Sequence, residues 1–264
     1  MAEGLTGASF LWGLGLLLFG FGPAARACDF ADAPQQAIES CSAVIAKAGA
    51  APDTLWPAYF ARGDAYARDG EAALAAEDYT QAIRLHPDLA IAFYNRGNSY
   101  FRKGDYELAI DDYAVAIRLS PALAMAHINR GAAYAQTQQY DRAIEDFNAA
   151  LLIDPKNDRA LSDRGNTYYN MGEHERAIRD LNRAIALNPK DARMFLNRGL
   201  AEAASGFGNR AIADFGRAIA LEPNFAAAFY QRGLAYRAVG QTDQAAADLA
   251  QARRLDPSLM ASTP

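Results

Sequence analysis

Residues 90–123 set apolar and polar positions in the 3.6-residue rhythm of amphipathic helices. Phe93, Gly97 and Tyr100 fall at i, i+4 and i+7, one face of a helix, and Ala109, Tyr113 and Ala116 form the matching face of a second. Large-small-large on the first helix meets small-large-small on the next. Gly97 removes a side chain where the second helix must come close. Gly104-Asp105 supplies a turn between the two, and Pro121 stops the second helix because it cannot donate the next backbone hydrogen bond. The pattern predicts an antiparallel helix hairpin.

The hairpin recurs. Arg-Gly stands at 62–63, 96–97, 130–131, 164–165, 198–199 and 232–233, always 34 residues on. Pro87, Pro121, Pro155, Pro189, Pro223 and Pro257 keep the same register, as do two alanines per copy. Six copies tile residues 56–259, at 56–89, 90–123, 124–157, 158–191, 192–225 and 226–259. One hairpin cannot bury both its faces alone, so copies must stack.

The period and its aromatic, Gly, Tyr, Ala, aromatic, Ala and Pro positions resemble the tetratricopeptide repeat family. The resemblance implies an all-α, right-handed superhelical solenoid of antiparallel helix hairpins. It also implies a concave groove lined by the first helix of each copy, where that family binds partner peptides. The groove residues are then Phe60, Arg68, Tyr94, Asn98, Phe101, Arg102, Arg159, Asn166, Tyr169, Arg193, Tyr230 and Arg237, with a single acid, Asp64. A polar row adjoins them at Asn95, Asn129, Asp163, Asn197 and Gln231. It looks like the asparagine ladder in the repeats of the O-linked N-acetylglucosamine transferase, since an amide can both donate to and accept from a peptide backbone. The alternative is that these amides cap or solvate the helix surface. A clamp for chaperone tails needs a Lys where this chain has Phe60, Tyr94, Ile128, Ser162, Leu196 and Tyr230, and is not expected.

Each Arg of the Arg-Gly pairs is followed 16 residues later by an Asp: Arg62 by Asp78, Arg96 by Asp112, Arg130 by Asp146, Arg164 by Asp180, Arg198 by Asp214 and Arg232 by Asp248. The two positions lie on facing helices, so an ion pair is expected in every copy. Two separately solvated charges are the alternative, worth little. The fifth copy departs from the pattern. Glu202 replaces Tyr, and Gly206, Gly208 and Gly216 are expected to loosen its hairpin.

Residues 8–25 form an apolar run followed by Ala25-Arg26-Ala27, which reads as a cleaved secretory signal over residues 1–27, although Glu3 precedes the run and no Lys or Arg does. A retained membrane anchor and a lipid-modified Cys28 are the second and third readings. Export places the chain in a periplasmic or extracellular compartment, where Cys28 and Cys41 are expected to pair. Two small buried thiols are the alternative. Residues 28–55 read as a capping half-repeat in which Cys41 and Cys28 occupy facing sites, and residues 260–264 as a short tail. Arg253, where earlier copies have Ile or Leu, marks the last repeat.

Composition changes this picture little. Hydrophobic residues are 51% of the 264 and the net charge is −5, neither disordered nor built to coat nucleic acid. His86, His127 and His174 share no ligand spacing, and no phosphate loop, nucleophile elbow or metal pair occurs. The expectation is a non-enzymatic scaffold without cofactor, metal or nucleic acid. Its partner is a protein or peptide, acidic or carboxylate-ended because the groove is basic and aromatic. A membrane is a partner only if the N-terminal segment stays. The rival classes are a membrane-anchored assembly factor and an enzyme with an unrecognised site.

Overall fold

The computed structural model describes residue 28, residues 33–47 and residues 55–260. The expected signal in residues 1–27 and the tail beyond residue 260 lie outside the described residues. Within them are thirteen α-helices, a closing 3-10 turn at Pro257–Met260 and no strand. The chain falls into two compact units, residues 1–121 and 122–264.

The first unit holds α1 (Pro34–Lys47), α2 (Trp56–Asp69), α3 (Ala72–Leu85), α4 (Ala90–Lys103) and α5 (Tyr106–Leu119). Each packs on the next in chain order. The second unit holds α6 (Ala124–Gln136), α7 (Tyr140–Ile153), α8 (Asp158–Asn170), α9 (His174–Leu187), α10 (Ala192–Ala204), α11 (Gly208–Leu221), α12 (Ala226–Ala238) and α13 (Thr242–Leu255), also packed in sequence. Short connections force neighbouring helices antiparallel. The fold is the all-α class of stacked helix pairs.

Inside each hairpin the core is a close approach. Tyr79, Tyr113, Phe147, Leu181 and Phe215 are fully buried, each opposite a glycine of the preceding helix. A Cβ on Gly97 would stand 2.8 Å from the Tyr113 ring, and one on Gly199 2.6 Å from that of Phe215, inside contact distance. Buried alanines such as Ala75, Ala109 and Ala143 complete the seam. Burying one such aromatic contributes about 1.5–3 kcal/mol, so the glycine is kept despite its helix cost of ~1 kcal/mol.

The turn between paired helices needs one left-handed residue. Gly104 fills it at φ 82°, and Gly206 fills it in the fifth hairpin at φ 81°. Gly206 is therefore the ordinary turn residue, a correction to its reading as a loosening element. Gly208 is corrected likewise, because a Cβ there would lie 2.8 Å from Cγ1 of Val239, the residue that follows α12. The α10–α11 hairpin has full-length helices. In the third hairpin the same turn position is Gln138, at φ 60°.

At the N-terminal end α1 packs on α2, and Cys28, Cys41, Ala58 and Ala61 share one buried cluster. The expected Cys28–Cys41 bond is not formed in this structure. Both are neighbouring thiols. The Cys41 hydrogen bond holds Cys28 below the usual thiol range and pushes Cys41 above it. Among the described residues no helix is long and apolar enough to cross a membrane.

Candidate functional site

Two sets of side chains could carry chemistry or recognition: the charged seam inside each hairpin and the inner wall on the first helices. The seam is uniform. Nε and Nη2 of Arg62, Arg96, Arg130, Arg164, Arg198 and Arg232 fork onto both oxygens of Asp78, Asp112, Asp146, Asp180, Asp214 and Asp248, at 2.6–2.9 Å. Each aspartate is buried and each arginine about four-fifths buried, so the pairs are bidentate and largely dry.

The third guanidinium nitrogen does a second job. Nη1 of Arg62 donates to Ser42 of α1 at 3.0 Å, Arg96 to Thr80 at 3.0 Å, Arg164 to Asn148 at 2.5 Å and Arg198 to Asn182 at 2.7 Å. One arginine thus ties its own hairpin together and staples it to the preceding helix. Sequence reasoning found the pair and missed the staple. Its only signal is a small polar residue after the core side chain in Tyr79-Thr80, Phe147-Asn148 and Leu181-Asn182, whereas Tyr113 and Phe215 are followed by Ala114 and Gly216. Ser42 beside Cys41 repeats that arrangement on α1.

Local differences tune the seam. Burial pushes the Asp78 and Asp112 carboxyls up, and the arginine bonds only partly offset it. For Asp146 the same burial is outweighed, because His127 Nδ1 lies 3.2 Å from Oδ1 and joins Arg130 in holding the carboxyl below its usual range. His127, at a site that is Tyr or Phe in four other hairpins and Leu161 in the fourth, is thus part of an ion-pair network. In the fifth hairpin the arginine meets Glu202 where Tyr stands elsewhere. Glu202 is buried, its Oε2 has no partner, and burial followed by Asp214 repulsion pushes its carboxyl up.

On the inner wall of the first unit, Tyr94 packs 6.0 Å from Tyr113 and Phe60 5.7 Å from Tyr79, ring to ring. Phe101 meets Tyr106 edge-on at 5.2 Å. Arg68 and Arg102 are exposed, with Arg102 donating to the Ala67 carbonyl at 2.7 Å. Asp64 is 3% exposed, so the expected single acid lies beneath the wall and not on it. Tyr79 Oη donates to it at 2.5 Å and Asn95 Nδ2 at 2.9 Å. Burial dominates these bonds and raises the Asp64 pKa to about 7.

In the second unit Arg159 donates to Asn129 at 2.8 Å and lies 3.5 Å from Asp163. Tyr169 packs on His174 at 5.6 Å. Arg193, Arg237 and Asn166 are exposed, while Tyr230 and Asn197 are half-buried. The amide row is corrected in part. Asn95 is engaged with Asp64, Asn98 accepts from Tyr113 Oη at 2.8 Å, and Asn129 is 9% exposed under Arg159. Those three amides brace the stack. Asn166 and Asn197 are left to the surface.

Nothing in this arrangement pairs a nucleophile with a base, and among the described residues no group of three His, Cys, Asp or Glu could hold a metal. What the site offers is exposed guanidinium and aromatic surface on a rigid frame. The class so defined is a helix-hairpin interaction scaffold, typically non-catalytic. Tetratricopeptide repeat models match residues 60–124, 130–195 and 226–259, together well over half of the chain. The chain belongs to the tetratricopeptide repeat family.

Among solved structures, a tetratricopeptide repeat protein from Parabacteroides merdae ATCC 43184 is similar at 26% identity, covering 89% of this chain and 94% of that one, with a TM-score of 0.73. YrrB, described as a TPR protein with an unusual peptide-binding site, is 26% identical over 70% of this chain and 95% of its own, with a TM-score of 0.55. MamA is 27% identical over 62% of this chain and 96% of its own, with a TM-score of 0.55. No curated protein matches the sequence significantly.

Proposed function

We propose that this protein is a non-enzymatic scaffold of the cell envelope that holds an extended, acidic or carboxylate-ended segment of a partner protein on its inner walls. One observation carries the reading. The exposed charges of the predicted groove are arginines (Arg68 and Arg102 in the first unit, Arg159, Arg193 and Arg237 in the second), while the one expected acid is buried. Tyr94 and Phe101, or Tyr169 and Tyr230, stand among them as apolar platforms. The peptide-binding site reported for YrrB supports the same use of such a fold. The envelope setting rests on the signal-like residues 1–27 and on Cys28 and Cys41, which we propose to close into a disulfide on export.

Fluorescence anisotropy with an acidic peptide and its amidated, neutral counterpart tests the groove. Arg68→Glu with Arg102→Glu, or Arg159→Glu with Arg193→Glu, should weaken the acidic peptide at least roughly tenfold, about 1.4 kcal/mol. Equal binding of both peptides to the parent protein would reject the acidic preference. Sequencing the N-terminus of the mature protein tests export, with Cys28 expected as the first residue.

A further inference from the structure

We propose a second binding site, a phosphate-binding cleft between α7 and the α8–α9 hairpin, in which Arg179, Arg176 and Asn148 take a phosphoryl group. The cleft has a volume of about 330 Å³ and is lined by Asn148, Arg164, Tyr168, Arg176, Arg179 and Asp180. It goes beyond the groove reading and shares no residue with it. Arg164 and Tyr168 point roughly half a turn round α8 from the inner-wall positions Asn166 and Tyr169, at 100° per residue.

The repeat itself shows that Arg179 is not there for the fold, and that arginine at the Arg176 position is dispensable to it. The position of Arg179 is Glu77, Asp111 and Glu145 in the preceding hairpins and Ala213 and Ala247 in the following ones. The position of Arg176 is Leu74 and Leu108 in the first unit, but Arg142 and Arg210 in the hairpins on either side, where Arg142 lies over the Tyr134 ring at 5.6 Å as Arg176 lies over Tyr168. A frame that folds with an acid or Ala at the first site, and Leu at the second, does not need arginine at either. The exchange of acid for arginine reverses the local charge.

Two of the acids nearby, Asp180 and Glu173, are already engaged. Both oxygens of Asp180 are taken by Arg164 at 2.6 and 2.8 Å. Glu173 accepts from Arg176 Nη1 at 2.5 Å. Arg176 also lies over the Tyr168 ring at 3.9 Å and donates to Tyr168 Oη at 2.5 Å, so the ring holds the guanidinium flat at the cleft edge. Asn148 Oδ1 accepts from Arg164 Nη1 at 2.5 Å, and its NH2 is a donor. Arg179 is exposed and has no acidic partner among the described residues. Arg183, one turn further along α9, is exposed too and only 4.0 Å from Asp180.

The cleft therefore has an uncompensated guanidinium, a second that can leave an exposed glutamate, and an amide donor. Planar arginine forks match the oxygens of phosphate in pairs, and a dianion gains more than a carboxylate from two of them. The wider field agrees. Residues 122–264 hold 17 Lys and Arg against 16 Asp and Glu, whereas residues 1–121 hold 9 against 15. The phosphoryl group could belong to free phosphate or to an anionic lipid headgroup, which share this chemistry.

The test uses the full chain and two probes at constant ionic strength: inorganic phosphate against chloride in calorimetry, and phosphatidylcholine vesicles with and without phosphatidic acid in co-sedimentation. Saturable binding of phosphate assigns the free anion, and binding of phosphatidic acid vesicles alone assigns the headgroup. In either case Arg179→Glu, which restores the residue type of three sister hairpins, should weaken binding roughly tenfold or more, about 1.4 kcal/mol. Arg176→Leu should do the same on a residue the frame already tolerates, so a folding fault in one variant leaves the other to decide. Arg84→Ala, exposed on α3 of the first unit, should leave binding unchanged. Binding equal in the parent and in Arg179→Glu, or absent with both probes, overturns the proposal. Neither result bears on peptide binding by the groove.

Discussion

The second and fifth hairpins are built on one frame and differ in how well each position is satisfied. In α4–α5, Arg96 forks onto Asp112, donates to Thr80, and lies between the Phe93 and Tyr100 rings at 5.5 and 5.9 Å. In α10–α11, Arg198 forks onto Asp214 and keeps Phe195 at 5.6 Å, but Glu202 takes the second ring's place. The helices form equally well in both. Secondary structure and close packing are thus set by the glycine–aromatic seam, while the polar side positions vary at the cost of local stability. Sister hairpins supply the natural control for each departure.

The sharpest break of the comparison is to remove the shared element from the well-satisfied hairpin. Arg96→Ala leaves Asp112 buried without its charge partner and cuts the staple to Thr80. It should cost roughly 3–5 kcal/mol in urea unfolding, with α3 and α4 losing amide-exchange protection first. Lys at the same site should recover only part of this, because an ammonium cannot fork onto both oxygens. A loss below about 1 kcal/mol would show that the pair behaves like a solvated surface contact.

A second comparison lies within the first unit. Tyr79 donates to Asp64, and in the next hairpin Tyr113 donates to Asn98 at the same register. The Asp64 pKa is raised to about 7 by burial, above its unfolded value. Its contribution is fully present below pH ~4 and is lost as pH rises through about 7. Asp64→Asn copies the neighbouring hairpin and removes that loss. It should stabilise the protein by on the order of a few kcal/mol at pH 8 and change little at pH 4. The measurement is the denaturation midpoint at both pH values, and an equal effect at each would show that Asp64 does not titrate between them.

Glu202→Tyr makes the fifth hairpin resemble the second. It replaces a buried carboxylate with an unpartnered oxygen by a ring that can lie beside Arg198, and should stabilise by roughly 1–3 kcal/mol. Because the Glu202 carboxyl is pushed up, the parent's penalty grows as pH rises, so the gain should be larger at pH 7 than at pH 4. Thermal melts across that range decide it. A variant no more stable at either pH would mean that Glu202 has found a water or a partner in solution.

These contrasts show what a sequence of this kind exposes. The hairpins, the Arg–Asp register and the place of α1 are legible because each depends on residues at fixed short spacings across one turn. The fate of the amides is not. Asn95 reaches Asp64 across 31 residues and Arg159 reaches Asn129 across 30, so whether an amide braces the stack or faces a ligand depends on how one hairpin sits on the last. Gly206 was misread for a related reason, since its left-handed φ is visible only in the turn, not in composition. Arg179 does not stand out in the sequence, because a 34-residue repeat draws its signal from the positions that recur.

The smallest effect expected is at the third hairpin's turn. Gly70, Gly104, Gly172, Gly206 and Gly240 all take a positive φ there, and Gln138 alone does so with a side chain, at φ 60°. A left-handed residue with a Cβ costs about 1–2 kcal/mol, whereas glycine adds up to ~1 kcal/mol of unfolded-chain entropy. Gln138→Gly should therefore stabilise by roughly 0.5–1 kcal/mol. That is visible as a small upward shift of the urea midpoint without a change in slope. Gln138→Val should move the midpoint the other way, because a β-branched residue resists this backbone more strongly. If both substitutions left the midpoint where it was, the turn would be bearing no strain, and the third hairpin would stand with the second as a fully satisfied copy of the frame.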